Sequence, residues 1–130
     1  MSDNPYVMYL IVRESLAMSP GKLGAQCGHA VQFVMDEYYM NQLGCSHGRA
    51  QILCQSMVEW RATDHMKIVL RANEKEWEKL QNSDAFVPLP LFIVTDRGYT
   101  EVPANTETVM ALWPMRKNER PSILRRLRLL

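Results

Sequence analysis

Residues 19–30 read SPGKLGAQCGHA and open the longest periodic segment of the 130-residue chain. Ser19 suits a helix N-cap and Pro20 the first helical position, where a missing N–H costs nothing and φ is already preset. Winding the following residues at about 100° each predicts two stripes. Lys22, Gln26, His29 and Phe33 share one, while Leu23, Cys27, Ala30, Val31, Val34 and Tyr38 form a second, apolar one. Gly24, Ala25 and Gly28 fill most of what remains. Two glycines inside a helix cost about 1 kcal/mol each against alanine, which predicts that something approaches the backbone closely there. An amine, an amide and an imidazole in one row near a helix N-terminus make a candidate anion-facing site.

Upstream of this helix, residues 6–12 (YVMYLIV) are almost wholly apolar and rich in β-branched and aromatic types, as expected of a central strand buried on both faces. The helix therefore follows a buried strand, and in an open α/β sheet that junction is where ligands usually sit. Downstream, the helix is predicted to run to about Leu43, with Gly44 as its stop signal. Ile52, Leu53, Ser56, Met57 and Trp60 recur at helical spacing and predict a second helix ending near Arg61. Residues 66–72 (MKIVLRA) read as a strand. Asn73 and Glu76 have the spacing of a capping box for a short charged helix that turns Trp77 and Leu80 inward. A third strand is expected over residues 87–95 (VPLPLFIVT), a polar loop over 99–108, and a fourth strand over 109–113 (VMALW), stopped by Pro114. The segment 118–126 is predicted helical, with Pro121 tolerated in its first turn. Strand, two helices, strand, helix, strand, strand, helix is an α/β order with helices on both faces of a mixed sheet.

A chain of this length with 47% hydrophobic residues suits one domain, spanning residues 1–130, around one core. The formal net charge is only +1, but residues 116–130 carry +5, from Arg116, Lys117, Arg120, Arg125, Arg126 and Arg128 against Glu119, which leaves −4 for the rest. That basic end is either a phosphate-binding surface or a solvated helix whose cationic last turn suits the helix dipole. Three cysteines cannot all pair, and the start shows no secretory leader pattern, so a reducing, cytoplasmic compartment is expected. No run approaches the roughly 18 apolar residues that span a bilayer, so no membrane association is expected.

Asp96 is predicted at the C-terminal end of the third strand, and Lys22 follows that of the first. If the two strands are parallel neighbours, both residues reach one sheet edge, either as a structural salt bridge or as an oriented catalytic pair. Thr100, Thr106 and Thr108 are placed in the following loop, where their hydroxyls are either turn formers or groups that hold a water. Cys27 and His29, two apart on a helix, point about 200° from each other and do not form a nucleophile–base pair. Cys45, His47, Cys54 and His65 lack paired CxxC or HxxxH spacing, which argues against a metal site. The methionines and tryptophans read as core filling, least clearly Trp113, which closes the last strand.

The segment YLIVRESLAMSPGKLGAQCGHA resembles the opening strand, loop and helix of the peptidyl-tRNA hydrolase 2 family, with its Gly-Lys, Ala-Gln and His-Ala. The segment IVTDRGYTEVPANTETVMALWP is similar to that family's Asp-x-Gly-x-Thr loop, Pro-rich turn, Thr-x-Thr and final strand, and the ending LRLL resembles its C-terminus. The resemblance runs from about Tyr6 to Leu130, most weakly between Met35 and Trp60. It implies a three-layer α/β/α sandwich with a four-stranded mixed sheet, usually a homodimer. It also implies hydrolysis of the ester that joins a peptide to the 3′ end of tRNA, with no cofactor. By resemblance Lys22, Asp96, Thr100 and Thr108 are the catalytic candidates and Gln26 and His29 line the site. Thr106, Arg116, Lys117, Arg125 and Arg126 are kept as substrate-binding candidates. The chain departs from the pattern at Asn105, where the family has a glycine, and at Trp113, where it commonly has one. Asn tolerates positive φ; the Trp113 ring is expected near the site, narrowing it, stacking on the terminal adenine or marking a different substrate. The competing functions are a non-catalytic RNA- or protein-binding module on the same fold and a related tRNA deacylase.

Overall fold

The computed structural model describes residues 3–40, 48–83 and 91–130. The order is β1 (Tyr6–Arg13), a one-turn 3-10 helix (Glu14–Leu16), α1 (Pro20–Met40), α2 (Gly48–Ala62), β2 (Lys67–Ala72), α3 (Glu74–Gln81), β3 (Leu91–Asp96) and β4 (Thr106–Leu112). It continues through β5 (Met115–Arg116), a second 3-10 turn (Lys117–Glu119), α4 (Ser122–Arg125) and β6 (Arg128–Leu129). The expected stop at Gly44, the residues Cys45 and His47 and the prolines before β3 lie outside the described residues.

The sheet is mixed, in the order β3-β4-β1-β2-β6, with β5 paired to the start of β1. It therefore has six strands rather than the four expected. The two additions, β5 and β6, are two residues long, and two residues carry no readable alternation. β1 pairs β2 in parallel, Met8 opposite Lys67 through Arg13 opposite Ala72, and pairs β4 antiparallel, Val12 opposite Val109. β3 pairs β4 antiparallel, Asp96 opposite Thr106. Thus β1 and β3 run parallel but are not neighbours, because β4 lies between them. Their C-terminal ends still reach one sheet edge, beside the start of β4.

Six consecutive buried residues in β1 fit its central place. Val7, Tyr9 and Ile11 join a cluster with Trp77, Leu80, Leu124 and Leu127, from α3 and the segment around α4. Met8, Leu10 and Val12 join another with Ala30, Val34, Met57, Trp60 and Trp113, fed by α1 and α2. Adjacent strand side chains point to opposite faces, so this split follows from the pleat. The apolar stripe read for α1 is the one that packs: Ala30 and Val34 are buried, with Leu23, Cys27, Val31 and Tyr38 against them. The capping box of α3 has both its bonds, Glu76 N–H to Asn73 at 2.8 Å and Asn73 N–H to Glu76 at 2.9 Å.

Other expectations are corrected. Among the described residues nothing lies within 4 Å of a Cβ built at Gly24 or Gly28, so no described element requires those glycines. The polar loop ends at Asn105 instead of Thr108, and Thr106 and Thr108 belong to β4. The predicted last helix is two pieces, because residue 120 before Pro121 is extended (ψ 137°), as proline demands of its predecessor. Cys27 is a free thiol and Cys54 is disulfide-bonded, a pairing the odd cysteine count left open.

Candidate active site

Lys22 and Gln26 project from the first two turns of α1 towards the end of β3. Ser19 precedes the helix, its Oγ accepting from Lys22 N–H at 3.4 Å, while Glu101 receives both the Ser19 N–H (2.8 Å) and the Ser19 hydroxyl. The anion at this helix N-terminus is thus the chain's own carboxylate. It ties the loop after β3 to the start of α1, and the two serine bonds hold the Glu101 carboxyl below its usual range.

Asp96 is the point where the elements meet. Lys22 Nζ lies 2.5 Å from Asp96 Oδ1, and Gln26 Nε2 donates to the same oxygen at 3.1 Å. Gly98 N–H donates to Oδ2 at 2.7 Å. Gln26 is oriented in turn by Thr108, whose hydroxyl donates to Gln26 Oε1 at 2.6 Å and is itself fully buried. The sequence Thr108, Gln26, Asp96, Lys22 is therefore one continuous hydrogen-bonded relay from the sheet interior to the cavity. Burial alone raises a carboxyl pKa; here the Lys22 bond first, then the Gly98 amide, outweigh it and hold Asp96 below the usual carboxylate range.

The turn that presents the Gly98 amide has strict backbone needs. Gly98 sits at φ +84°, and a Cβ there would lie 2.4 Å from the Ala104 nitrogen. Asn105 sits at φ 64° and returns its N–H to Asp96 O at 2.7 Å, so asparagine supplies the left-handed conformation expected of a glycine.

A cavity of about 730 Å³ opens over the pair, and its lining includes Lys22, Gln26, His29, Phe33, Asp96 and Thr100. The polar stripe read from α1 is thus the cavity wall. Cys27 faces the other way into the core, and burial raises its thiol pKa, which disfavours the thiolate. Thr106 bonds Pro103 O at 2.7 Å as a turn former and lies outside the lining. Trp113 is not near the site: its ring is buried against Tyr38, its N–H donates to Leu53 O at 2.8 Å, and it follows the far end of β4.

The basic residues are dispersed. Arg116 sits opposite Tyr6 at the start of β1, the end remote from Lys22, and stacks on the Tyr6 ring at 4.5 Å. Arg125 and Arg126 are exposed and flank Leu124 and Leu127, which pack into the cluster that α1 does not join. Lys117 is exposed, and Arg128 pairs with Glu14 and Glu76. Glu101, the Gly98 amide and Tyr99 were absent from the residues selected by sequence. Glu101 and Ser19 are 82 positions apart, and no spacing rule connects them.

The family model for peptidyl-tRNA hydrolase PTH2 matches residues 6–130. The chain belongs to that family. It is 30% identical to the peptidyl-tRNA hydrolase of Staphylothermus marinus over 115 residues, 88% of this chain and 86% of the relative. With the peptidyl-tRNA hydrolase of Methanopyrus kandleri the identity is 33% over 116 residues, 88% of this chain and 89% of that one. The probable peptidyl-tRNA hydrolase 2 of Dictyostelium discoideum is 29% identical over 121 residues, 92% of this chain and 52% of the relative. The PTH2 match covers every residue of the relay, from Lys22 to Thr108.

Proposed function

We propose that the chain hydrolyses the ester joining a peptide to the 3′ end of tRNA, freeing the tRNA. The observation that carries this reading is the Lys22–Asp96 pair on the cavity wall, 10% and 8% exposed, in a chain of the PTH2 family. Ester hydrolysis needs a positioned water and stabilisation of the developing oxyanion. Lys22 carries three N–H donors, one of which is used on Asp96, so its charge remains available to the carbonyl oxygen. Asp96, held ionised, is too weak a base to take a full proton. Its task is to fix Lys22 and to accept from the attacking water through the remaining acceptor capacity of Oδ2. Gln26 and Thr108 act through Asp96, as positioning residues. Thr100 and His29, exposed on the cavity wall, offer hydrogen bonds to the substrate. An ester is intrinsically labile, so positioning supplies much of the acceleration.

The remaining parts of the reading are a tRNA backbone held by Arg116, Lys117, Arg125 and Arg126, a homodimer, and an α/β/α sandwich. The layering is supported by the two separate clusters that share β1. The decisive experiment is release of free tRNA from a purified N-acetylaminoacyl-tRNA, with the unblocked aminoacyl-tRNA as control. Release from the blocked substrate alone is expected. Equal release from both points to a general deacylase, and no release from either refutes the reading.

A further inference from the structure

Two large, exposed aromatic side chains line the cavity. Phe33 is 42% exposed on α1 and Tyr99 is 82% exposed on the loop after β3. Neither ring meets another ring or a cation among the described residues, whereas Tyr38, Tyr39 and Trp60 all do. A single exposed aromatic needs no explanation, but two in one cavity beside an ionised pair do.

Their positions set the chemistry of what they hold. Phe33 is two turns beyond Gln26, about 10 Å along the axis at 1.5 Å per residue, and helical aromatic side chains lean back towards the N-terminus. Gln26 donates to the same Asp96 oxygen as Lys22, so this spacing places Phe33 about 10 Å along the helix from the residue that adjoins the pair, roughly the span of one nucleoside. Tyr99 belongs to the loop that Glu101 ties to the start of α1, so both rings are carried by elements fixed to the catalytic pair. A planar group entering beside Lys22 meets a π-face on a rigid helix, with few rotamers to freeze. Unpaired bases at the end of an RNA strand are recognised by stacking on aromatic side chains. The peptide side of the ester varies between substrates, while the terminal base is constant and planar, the partner that a fixed π-face rewards.

We infer that Phe33 and Tyr99 form a stacking platform for the 3′-terminal nucleobase of the RNA. The inference rests on the hydrolase reading for its catalytic consequence, but not for the binding it requires. The test uses two esters of one N-acetylamino acid, to adenosine and to methyl riboside, which lacks the base. The wild-type chain is expected to favour the adenosine ester in kcat/KM by tenfold or more, about the size of one base–aromatic stack. Phe33→Leu keeps the apolar bulk and removes the π-face. It is expected to reduce that preference about tenfold and leave the methyl riboside ester unchanged, with Phe33→Trp restoring the preference and Tyr99→Leu giving a smaller loss. A variant that slows both esters equally marks a structural wall and overturns the inference, as does a wild-type chain indifferent to the base. Fluorescence anisotropy with a short RNA ending in CCA, against the same RNA with an abasic 3′ end, provides a readout independent of turnover. If neither ester is hydrolysed, release of tRNA from N-acetylaminoacyl-tRNA still decides the hydrolase reading, because truncated substrates lose turnover, and the anisotropy measurement decides the platform. Binding that needs the base and is lost in Phe33→Leu then still supports the platform, and binding indifferent to the base overturns it.

Discussion

Replacing Asp96 by asparagine tests the centre of the site, because it removes one charge at nearly constant volume. The carboxylate accepts three bonds, two at Oδ1 and one at Oδ2, and asparagine keeps only one oxygen. With that oxygen towards Lys22 and Gln26, the new NH₂ faces the Gly98 N–H, donor against donor; flipped, it faces two donors. One hydrogen bond to a charged group, about 1.5–3 kcal/mol, is lost and Lys22 loses its counter-charge in a site only 10% exposed. A cost of about 2–4 kcal/mol follows, short of the worst case for a broken buried pair because both side chains keep some exposure on the wall of an open cavity. For a domain of this size that lowers Tm by roughly 10 °C. Turnover is expected to fall about 10²–10³-fold, with both the oriented water and the fixed cation disturbed. The pH dependence supplies the sign. Asp96 has a lowered pKa in the fold, so its ionisation stabilises fully above the unfolded value of about 3.9 and ceases to do so as pH falls through the folded value beneath it. The stability gap between wild type and Asp96→Asn should be constant near neutrality and shrink below about pH 4. Urea unfolding from pH 7 to pH 2, with initial rates of tRNA release at neutrality, measures both. A gap that ignores pH, or a variant with wild-type turnover, refutes the account of Asp96.

Thr108→Val strands the buried Gln26 Oε1 and should cost about 1–3 kcal/mol with a marked loss of turnover, while Thr108→Ser keeps the hydroxyl and stays near wild type; equal behaviour of the two in denaturation and rate assays excludes the relay. Cys27→Ala should cost about 1 kcal/mol and leave hydrolysis within twofold, since the thiol faces the core; inactivation by a thiol reagent that maps to Cys27 would reverse that view. Neutralising Arg125 and Arg126 together to glutamine should raise KM, leave kcat alone and flatten the logarithmic salt dependence by about 1.5, the contribution of two phosphate contacts; an unchanged slope removes them from the tRNA surface.

What the sequence made legible was whatever repeats with the geometry of one element. The α1 stripes and the α3 capping box are local patterns, and each packs as read. The Lys22–Asp96 meeting was reached through a wrong adjacency, because β4 separates β1 from β3; the outcome survived because two antiparallel steps restore the direction. Trp113 was misplaced for the opposite reason. Closeness in sequence to the threonine loop suggested closeness in space, yet a strand of seven residues carries the chain across the sheet before Trp113 is reached. Thr108 was assigned to a loop because Thr-Glu-Thr is polar, although a position inside a strand and beside a buried amide also satisfies such a hydroxyl. Glu101 on Ser19 depends on tertiary closure alone.

The relay also explains why the site tolerates so polar a centre. A carboxylate and an amide at 8% and 3% exposure are costly to bury unless each acceptor and donor is met. Here the bonds come from three separately stabilised pieces: α1 through Lys22 and Gln26, β4 through Thr108, and the turn through Gly98. Each piece is fixed for its own reason, α1 by its apolar stripe, β4 by pairing on both sides, and the turn by the positive φ of Gly98 and Asn105. The donors therefore stand in place before substrate arrives, and the lowered Asp96 pKa is the electrostatic consequence of that order. It follows that Gly98→Ala, which touches no reacting group, should damage the site as a charge substitution does. Its Cβ would meet the Ala104 backbone at 2.4 Å, so the turn must shift and withdraw the amide from Oδ2. The expected signature is a fall in kcat together with a rise of the Asp96 pKa towards the ordinary carboxylate value, read by NMR titration of the carboxyl carbon. A Gly98→Ala chain with an unshifted Asp96 would show that the amide bond contributes nothing to the ionisation of the site.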